Sequence, residues 1–212
     1  MKLYGYWRSS SSWRVRIGLA IKGVDYEYVP VHLVRDGGEQ HREDFVEKSP
    51  LGQIPVLEWE EEGTTFEVTQ SLAILEYLEE RYPEPSLLPG GPEQRARIRQ
   101  LAEIINSGTQ PLQNLSVIKK LRDELGVDPK PWCGEFIEKG LRAYEALVEE
   151  RATFSIGEVP TLADLCLVPQ LYNARRFGVD LEPMKRLLEI EAACESLDAF
   201  QVAAPDRQID AQ

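Results

Sequence analysis

The sequence predicts an α/β domain followed by an all-helical domain, and two observations support this prediction. Strand-like and helix-like segments alternate over residues 1–82, whereas from residue 93 onward the apolar residues recur only with the helical period. Residues 83–92 are rich in proline and contain Gly90-Gly91, so regular structure cannot continue through them. We therefore expect domains at 1–82 and 93–212, joined by a linker at 83–92.

The first domain begins with a strand and a helix. Residues 2–7 are rich in aromatic side chains, as is typical of a strand, and residues 9–23 predict a helix that begins at serines and ends at Gly23. Residues 26–33 predict a second strand. Pro30 places that strand at the edge of the sheet, because proline cannot donate a ladder hydrogen bond.

The rest of the first domain predicts a short helix near 41–48, a hairpin and a final helix. Residues 54–68 alternate in polarity around a turn near Gly63, and residues 71–82 are amphipathic with a helical period. The order strand, helix, strand, short helix, hairpin, helix places parallel strands first and an antiparallel pair last. This is the layout of a thioredoxin-like α/β domain.

The second domain predicts four helical segments. They cover 93–124, with interruptions at Gly108 and Pro111, then 131–151, 161–177 and about 183–195. Thr161 and Asp164 have the spacing of a capping box before an apolar run, which indicates a structural helix start.

Composition excludes several classes of function. The net charge of −12 argues against nucleic acid, whose binding requires clustered Lys and Arg, but a small acidic substrate is compatible with it. No run of about eighteen apolar residues predicts a membrane span, and no leader segment is recognisable, so we expect a cytoplasmic protein without a membrane partner. Cys133, Cys166 and Cys194 are odd in number and widely spaced, which predicts buried, reduced thiols. His32 and His41 lack ligand spacing, so no metal site is expected.

Five segments together resemble the zeta class of glutathione transferases. In chain order they are SSSSWRVRIGLAIKG (9–23), SPLGQIPVLE (49–58), TQSLAILEYLEERYP (69–83), QPLQNLS (110–116) and TLADLCLVPQ (161–170). The resemblance covers almost the whole chain apart from its last residues. It implies the two-domain glutathione transferase architecture, glutathione as cofactor and a homodimer. Ser11 departs from the class signature, which usually has a cysteine at that position.

The serine run at 9–12 suits thiol activation. Only the thiolate adds to an activated double bond, and lowering a thiol pKa of around 8.5 by about two units requires roughly 2.7 kcal/mol. A hydroxyl hydrogen bond to a charged acceptor gives about 1.5–3 kcal/mol and a helix N-terminus about 0.3–1 more. By resemblance Ser9 is the donor to the glutathione sulfur. The alternative is that the run only caps the helix.

The resemblance also implies the remaining contacts. The Ile54-Pro55 bond would be cis, and Gln70-Ser71 would open a helix whose free amides receive the γ-glutamyl carboxylate, with Ser71 as a possible cap. The residues assigned to glutathione are Ser9, Ser10, Ser11, Ser12, Trp13, Arg14, Gln40, Ile54, Pro55, Gln70, Ser71, Gln110, Asn114, Leu115 and Ser116.

The catalytic residues implied by the resemblance are Ser9, Ser10, Ser11 and Arg176. Arg176 would hold a substrate carboxylate, or it is an ordinary surface arginine; the adjacent Arg175 lies about 100° away on a helix, so only one of them should face the substrate. The implied reaction is cis–trans isomerisation of maleylacetoacetate to fumarylacetoacetate by thiolate addition, bond rotation and elimination. Three alternatives stay open: the same reaction on maleylpyruvate, a general glutathione transferase or peroxidase, and a binding protein without catalysis.

Overall fold

The computed structural model describes residues 1–212, which group into two compact units. The first unit comprises Met1–Ser86 and Leu197–Gln212, and the second comprises Leu87–Ser196. The sequence places residues 197–212 in the helical domain, whereas their contacts group them with the α/β unit. No helix is both long enough and apolar enough to cross a membrane.

The strands are β1 (Lys2–Gly5), β2 (Glu27–Pro30), β3 (Val56–Glu61) and β4 (Thr64–Thr69). The helices are α1 (Ser10–Ile21), α2 (Glu43–Lys48), α3 (Ser71–Arg81), α4 (Pro92–Asn106), α5 (Leu115–Lys119), α6 (Pro129–Glu145), α7 (Leu162–Phe177), α8 (Lys185–Glu195) and α9 (Asp198–Ala203). The six-residue helix α9 was not predicted, because a helix of that length is too short to show a period.

The first unit has the predicted thioredoxin-like sheet. The strand order is β2-β1-β3-β4, in which β1 pairs in parallel with β2 and the other pairs are antiparallel. Pro30 lies on an edge strand, as predicted. Glu62 and Gly63 form the hairpin turn with φ angles of 51° and 76°, the positive values that a two-residue turn of this kind requires.

Apolar side chains from α1, α3 and the sheet form the core of the first unit. Leu3, Ile17, Leu57 and Ile74 are completely buried. A buried ion pair lies beside this core: Lys22 Nζ is 2.6 Å from Glu79 Oε2 and also donates to the Pro85 carbonyl at 2.7 Å. The Ser86 hydroxyl donates to the same carboxylate. These bonds fasten the first residues of the predicted linker to the unit.

The second unit is helical throughout, as predicted. Helix α7 is buried along most of its length and begins with the predicted capping box of Thr161 and Asp164. The Asp164 carboxylate also accepts the Ser155 N–H at 2.9 Å. All three cysteines are buried and free, which confirms the expected thiols.

The second unit contains the break predicted within segment 93–124, and one of its helices has different bounds. Regular α-helix stops at Asn106 and resumes at Leu115, with a 3₁₀ turn over Gln110–Gln113 between them, in agreement with the interruptions predicted at Gly108 and Pro111. The helix predicted over 131–151 is Pro129–Glu145 in the structure.

Candidate active site

The register of the sheet brings four loops to one end of the first unit. Tyr4 pairs with Val56 and Val56 with Thr69, while Gly5 pairs with Pro30. The ends of β1, β2 and β4 and the start of β3 therefore lie side by side, about 4.8 Å from strand to strand. The segments joined to these strand ends carry Ser9, Gln40, Ile54-Pro55 and Gln70-Ser71.

Ser9 is the N-cap of α1. Its backbone is extended, with φ −68° and ψ 120°, and its Oγ accepts the Ser12 N–H at 3.3 Å. A hydroxyl oxygen that accepts a hydrogen bond still has its own hydrogen to donate. Ser9 is half-buried, and the first turn of α1 has no acidic residue. Capping and donation to an anion are therefore compatible in the same side chain.

The other serines of the run are less alike than the sequence suggests. Ser12 is completely buried, and its Oγ accepts the Tyr6 N–H at 3.4 Å, which gives it a structural role. Gly5 lies against it: a Cβ at position 5 would be 3.0 Å from the Ser12 Oγ. Ser10 is buried and Ser11 half-buried. Trp13, next in the chain, is also buried.

Helix α3 begins differently. Its N-cap is Gln70, which has φ 69° and ψ 109° and makes no side-chain cap. The possibility that Ser71 caps the helix is wrong: Ser71 is the first helical residue, and its Oγ accepts from Arg14 Nη1 at 3.3 Å. With no side-chain cap from Gln70 and no acidic residue in the first turn, the positive end of α3 suits a carboxylate. A non-glycine residue with this backbone is strained, and such strain is concentrated at functional sites.

Arg14 connects the two helix starts. It extends from α1, is completely buried, and reaches Ser71 at the start of α3. A buried guanidinium holds a rigid planar set of donors, so this bond limits how far one helix start can move from the other. Arg14 thus combines a structural role with a fixed positive charge near both helix ends.

Gln40 contributes a buried acceptor. It is 4% exposed, and its Nε2 donates to the Leu33 carbonyl at 3.4 Å, while its Oε1 accepts no hydrogen bond within the protein. A Cβ at Gly52 would lie 3.1 Å from the Gln40 carbonyl, so the loop before Ile54 packs tightly against this residue. The Ile54-Pro55 bond is cis, as expected from the family resemblance. A buried oxygen without a partner fits a ligand that donates an N–H.

The candidate residues of the second unit lie around a helix break. Gln110 opens the 3₁₀ turn, and Asn114 is extended and caps α5, with its Oδ1 accepting from the Ser116 N–H at 3.1 Å and hydroxyl at 3.2 Å. Leu115 is the first residue of that helix. Gln110, Asn114 and Ser116 therefore do not lie on one continuous helix, because the break separates the 3₁₀ turn from α5.

Several residues that support this break were missed from the sequence. Gln113 Nε2 donates to Gln170 Oε1 at 2.6 Å in the interior, and Trp132 Nε1 donates to the Leu112 carbonyl at 2.9 Å. The sequence indicates part of this arrangement, because Gln170 follows Pro169 in an apolar helix and a buried glutamine requires a polar partner. The partner itself comes from another helix and could not be read from the sequence.

The structure distinguishes the two adjacent arginines of α7. Arg175 makes a two-pronged ion pair with Glu191 on α8, at 2.6 and 2.5 Å, and Glu191 is 5% exposed. This pairing raises the Arg175 pKa. Arg176 instead donates to Asn173 Oδ1 at 3.0 Å and lies 5.8 Å from the Phe177 ring centre. Arg175 therefore binds α8 through Glu191.

Comparison with known proteins agrees with this geometry. Residues 1–80 match the family model of the glutathione S-transferase N-terminal domain. The chain is 48% identical to maleylacetoacetate isomerase of Rattus norvegicus, over 98% of this chain and 94% of that one. It is 45% identical to maleylpyruvate isomerase of Ralstonia sp., over 99% of each.

A crystal structure of maleylacetoacetate isomerase from Anaeromyxobacter dehalogenans, with bound dicarboxyethyl glutathione and citrate in the active site, is similar throughout. It has a TM-score of 0.90 and 52% identity, and the match covers 100% of this chain and 93% of that one. With the thioredoxin-like sheet, the helical second unit and near full-length identity to these isomerases, the chain belongs to the zeta-class glutathione transferase and maleylacetoacetate isomerase family.

Proposed function

We propose that this protein is a glutathione-dependent isomerase that converts maleylacetoacetate to fumarylacetoacetate. The observation that carries the proposal is the sheet end of the first unit, where a serine hydroxyl at one helix start accompanies a second helix start suited to a carboxylate. Near full-length identity to maleylacetoacetate isomerases supports the reaction class. The product is an isomer of the substrate, so no oxidant, reductant or second substrate is consumed.

The residues of the first unit fit glutathione. The Gln40 Oε1 is a buried acceptor without a partner, and the start of α3 offers amides to a carboxylate. When bound, glutathione supplies the thiolate that adds reversibly to the cis double bond and leaves again after rotation. The Ser9 hydroxyl donates to the sulfur and, with the positive end of α1, holds it as the anion.

Arg176 holds a carboxylate of the substrate in this proposal. Arg176→Ala should lower kcat/KM for the maleyl acid by about ten- to a hundredfold, because a charged hydrogen bond of about 1.5–3 kcal/mol is lost, and should leave glutathione affinity unchanged. Arg175→Ala is the matched control. It leaves Glu191 buried without its partner, so it should lower the free energy of unfolding with little change in kinetics. Equal kinetics for Arg176→Ala and wild type would remove Arg176 from the site.

Maleylpyruvate is the second candidate substrate. The relative from Ralstonia sp. bears the name of that activity, and its identity to this chain is close to that of the rat protein. The deciding experiment measures cis-to-trans conversion of both acids, each with and without glutathione. Preference for maleylacetoacetate supports the proposal; conversion of maleylpyruvate alone replaces the substrate, and conversion of neither favours a general transferase or a binding protein.

The assembly and location belong to the same proposal. We infer a cytoplasmic homodimer from the family resemblance. Light scattering at micromolar concentration tests the assembly, and a monomeric mass would contradict it. Fractionation of cells that produce the untagged protein tests the location.

A further inference from the structure

The C-terminal segment Leu197–Gln212 belongs to the first unit and packs on α1. Helix α9 provides most of this contact. Its last residue, Ala203, has its carbonyl oxygen 3.0 Å from Arg16 Nε, and Arg16 is completely buried. Such a cation requires nearby acceptors, because an unpaired buried charge is costly.

The same arginine and an aspartate of this segment hold the backbone of one residue, Trp7, from both sides. The Trp7 N–H donates to Asp210 Oδ2 at 3.0 Å, and the Trp7 carbonyl accepts from Arg16 Nη2 at 2.7 Å. Both backbone hydrogen-bonding groups of Trp7 are thus satisfied by charged side chains, which form stronger hydrogen bonds than neutral ones. We call this arrangement the Trp7 clamp, consisting of Trp7, Arg16 and Asp210.

The Trp7 clamp lies in the turn that leads to Ser9. The Ser9 N–H donates to the Tyr6 carbonyl at 3.0 Å, which closes a turn over residues 6–9 with Trp7 inside it. Arg16 Nη1 also lies 3.5 Å from the Tyr6 carbonyl. The start of α1 therefore takes its position from a turn whose second residue, Trp7, is held by Asp210 at its N–H and by Arg16 at its carbonyl.

We infer that Asp210 is a positioning residue for Ser9: it holds the Trp7 N–H, and through it the turn that presents the Ser9 hydroxyl to the glutathione sulfur. The inference rests on the proposed function of Ser9. It adds a residue with no place in the serine motif, at a sequence distance of 203 residues from Trp7.

The charges around the clamp support a specific requirement for Asp210. Burial lowers the Arg16 pKa, and the Asp210 carboxylate is among the groups that oppose this shift, with Tyr28 and Tyr26. Asp210 thus stabilises the cation that holds the Trp7 carbonyl while it also accepts the Trp7 N–H. Loss of the carboxylate would weaken both sides of the clamp.

The experiment compares three variants of the full chain with wild type. Asp210→Ala removes the acceptor for the Trp7 N–H, and Asp210→Asn keeps an acceptor oxygen. Asp206→Ala is the matched control, because Asp206 is an exposed residue of the same segment. The readouts are the pKa of the bound glutathione thiol, followed by thiolate absorbance, and the pH profile of the isomerase.

Asp210→Ala should raise the thiol pKa by about half a unit to one unit, because the Ser9 hydroxyl is held less firmly at the sulfur. The isomerase rate near neutral pH should fall by about three- to tenfold and recover at higher pH. Asp210→Asn should restore much of this loss, and Asp206→Ala should match wild type. An unchanged thiol pKa in Asp210→Ala would overturn the inference.

A double-variant cycle tests whether Asp210 acts through Ser9. In a Ser9→Gly background, Asp210→Ala should cause no further increase in the thiol pKa, because the hydroxyl that it positions is absent. A full additional shift would show that Asp210 acts by another route and would overturn the inference. If the proposed function itself is wrong, the result differs, because the wild type would then show no thiolate absorbance with glutathione.

Discussion

The starts of α1 and α3 leave the same end of one sheet but are built in opposite ways. At α1 a serine caps the helix and offers its own hydroxyl hydrogen, whereas at α3 no side chain of the N-cap covers the amides and the backbone of that residue is strained. A capped start presents a single donor at a defined point, which suits one sulfur atom. An uncapped start presents several amides and a dipole, which suits a carboxylate. The contrast predicts that one end determines reactivity and the other affinity.

The largest expected effect is at the capped end. Ser9→Ala should raise the pKa of the bound thiol by roughly one to two units and lower activity near neutral pH by about ten- to a hundredfold, because about 1.5–3 kcal/mol of anion stabilisation is lost. Thiolate absorbance and the pH profile of the rate measure these changes. Partial recovery at higher pH is expected.

Two controls accompany this substitution. Ser9→Gly preserves most of the capping energy, which differs by only a few tenths of a kcal/mol from that of serine, so it separates chemistry from helix stability. Ser11→Ala and Ser11→Cys should both remain within a few-fold of wild type, because glutathione supplies the nucleophile. If Ser11→Ala abolished activity while Ser9→Ala kept an unshifted thiol pKa, the catalytic hydroxyl would belong to Ser11.

The next effect is at the uncapped end. Ser71→Ala removes one acceptor of the buried Arg14, so glutathione should bind about tenfold more weakly, since a hydrogen bond to a charged group is lost. Calorimetry measures the affinity. The thiol pKa of the bound glutathione should not move. A shift as large as that of Ser9→Ala would show that the two helix starts do not have separate roles.

A third prediction concerns stability away from both helix starts. Hydrogen bonds from the side chains of Lys48, Tyr4 and Lys2 lower the pKa of the Glu58 carboxyl from 4.5 to about 2, and Lys48 makes the largest contribution. Because the folded pKa is lowered, this stabilisation is complete above about pH 4.5 and is lost as the pH falls toward 2.

Glu58→Gln should therefore flatten the acid side of the stability profile. Between about pH 4.5 and 2, the free energy of unfolding of the wild type should fall by about 1–2 kcal/mol more than that of the variant. Solvent screening at this partly exposed site reduces the difference to that size. Urea unfolding at several pH values gives the measurement, and glutathione affinity at neutral pH is the control, which should be unchanged. Parallel profiles for both proteins would contradict the assignment.

The smallest expected effect is at Gln70. Its φ of 69° is easily adopted by glycine, so Gln70→Gly should increase the free energy of unfolding by about 1 kcal/mol as strain is relieved. Gln70→Ala keeps the strain and removes only the side chain. Weaker glutathione binding in both variants would show that the Gln70 side chain contacts glutathione. If Gln70→Gly were less stable than Gln70→Ala in urea unfolding, the backbone would not be strained.

Local signals were sufficient for much of this site. The serines between a strand and a helix predicted a cap, which Ser9 provides, and the order of the elements predicted the sheet; the role of Ser9 as donor to the sulfur came from the family resemblance. The positive φ of Gln70 was not predicted, because glutamine is not among the residue types that favour that conformation. Ser71 was misjudged as a possible cap, because its partner Arg14 belongs to another helix.

The remaining gaps all involve partners that are distant in sequence. Arg16 lies in an apolar helix, and a charged residue in such a setting requires a partner when buried, but nothing local identifies Ala203 or Trp7. The break before α5 also depends on residues that are distant in sequence. Gly108 and Pro111 predict that the helix stops, whereas the direction in which Asn114 emerges depends on Gln113 and its partner Gln170.

The grouping of Leu197–Gln212 with the first unit has a consequence for the order in which the protein matures during synthesis. A ribosome makes Ser9 and its sheet early, but Asp210 emerges only after the entire second unit has been made. The α/β unit of a nascent chain therefore lacks the Trp7 clamp until the second unit has been synthesised. A chain interrupted after residue 196 would contain every residue of the serine motif and still lack the segment that packs on α1.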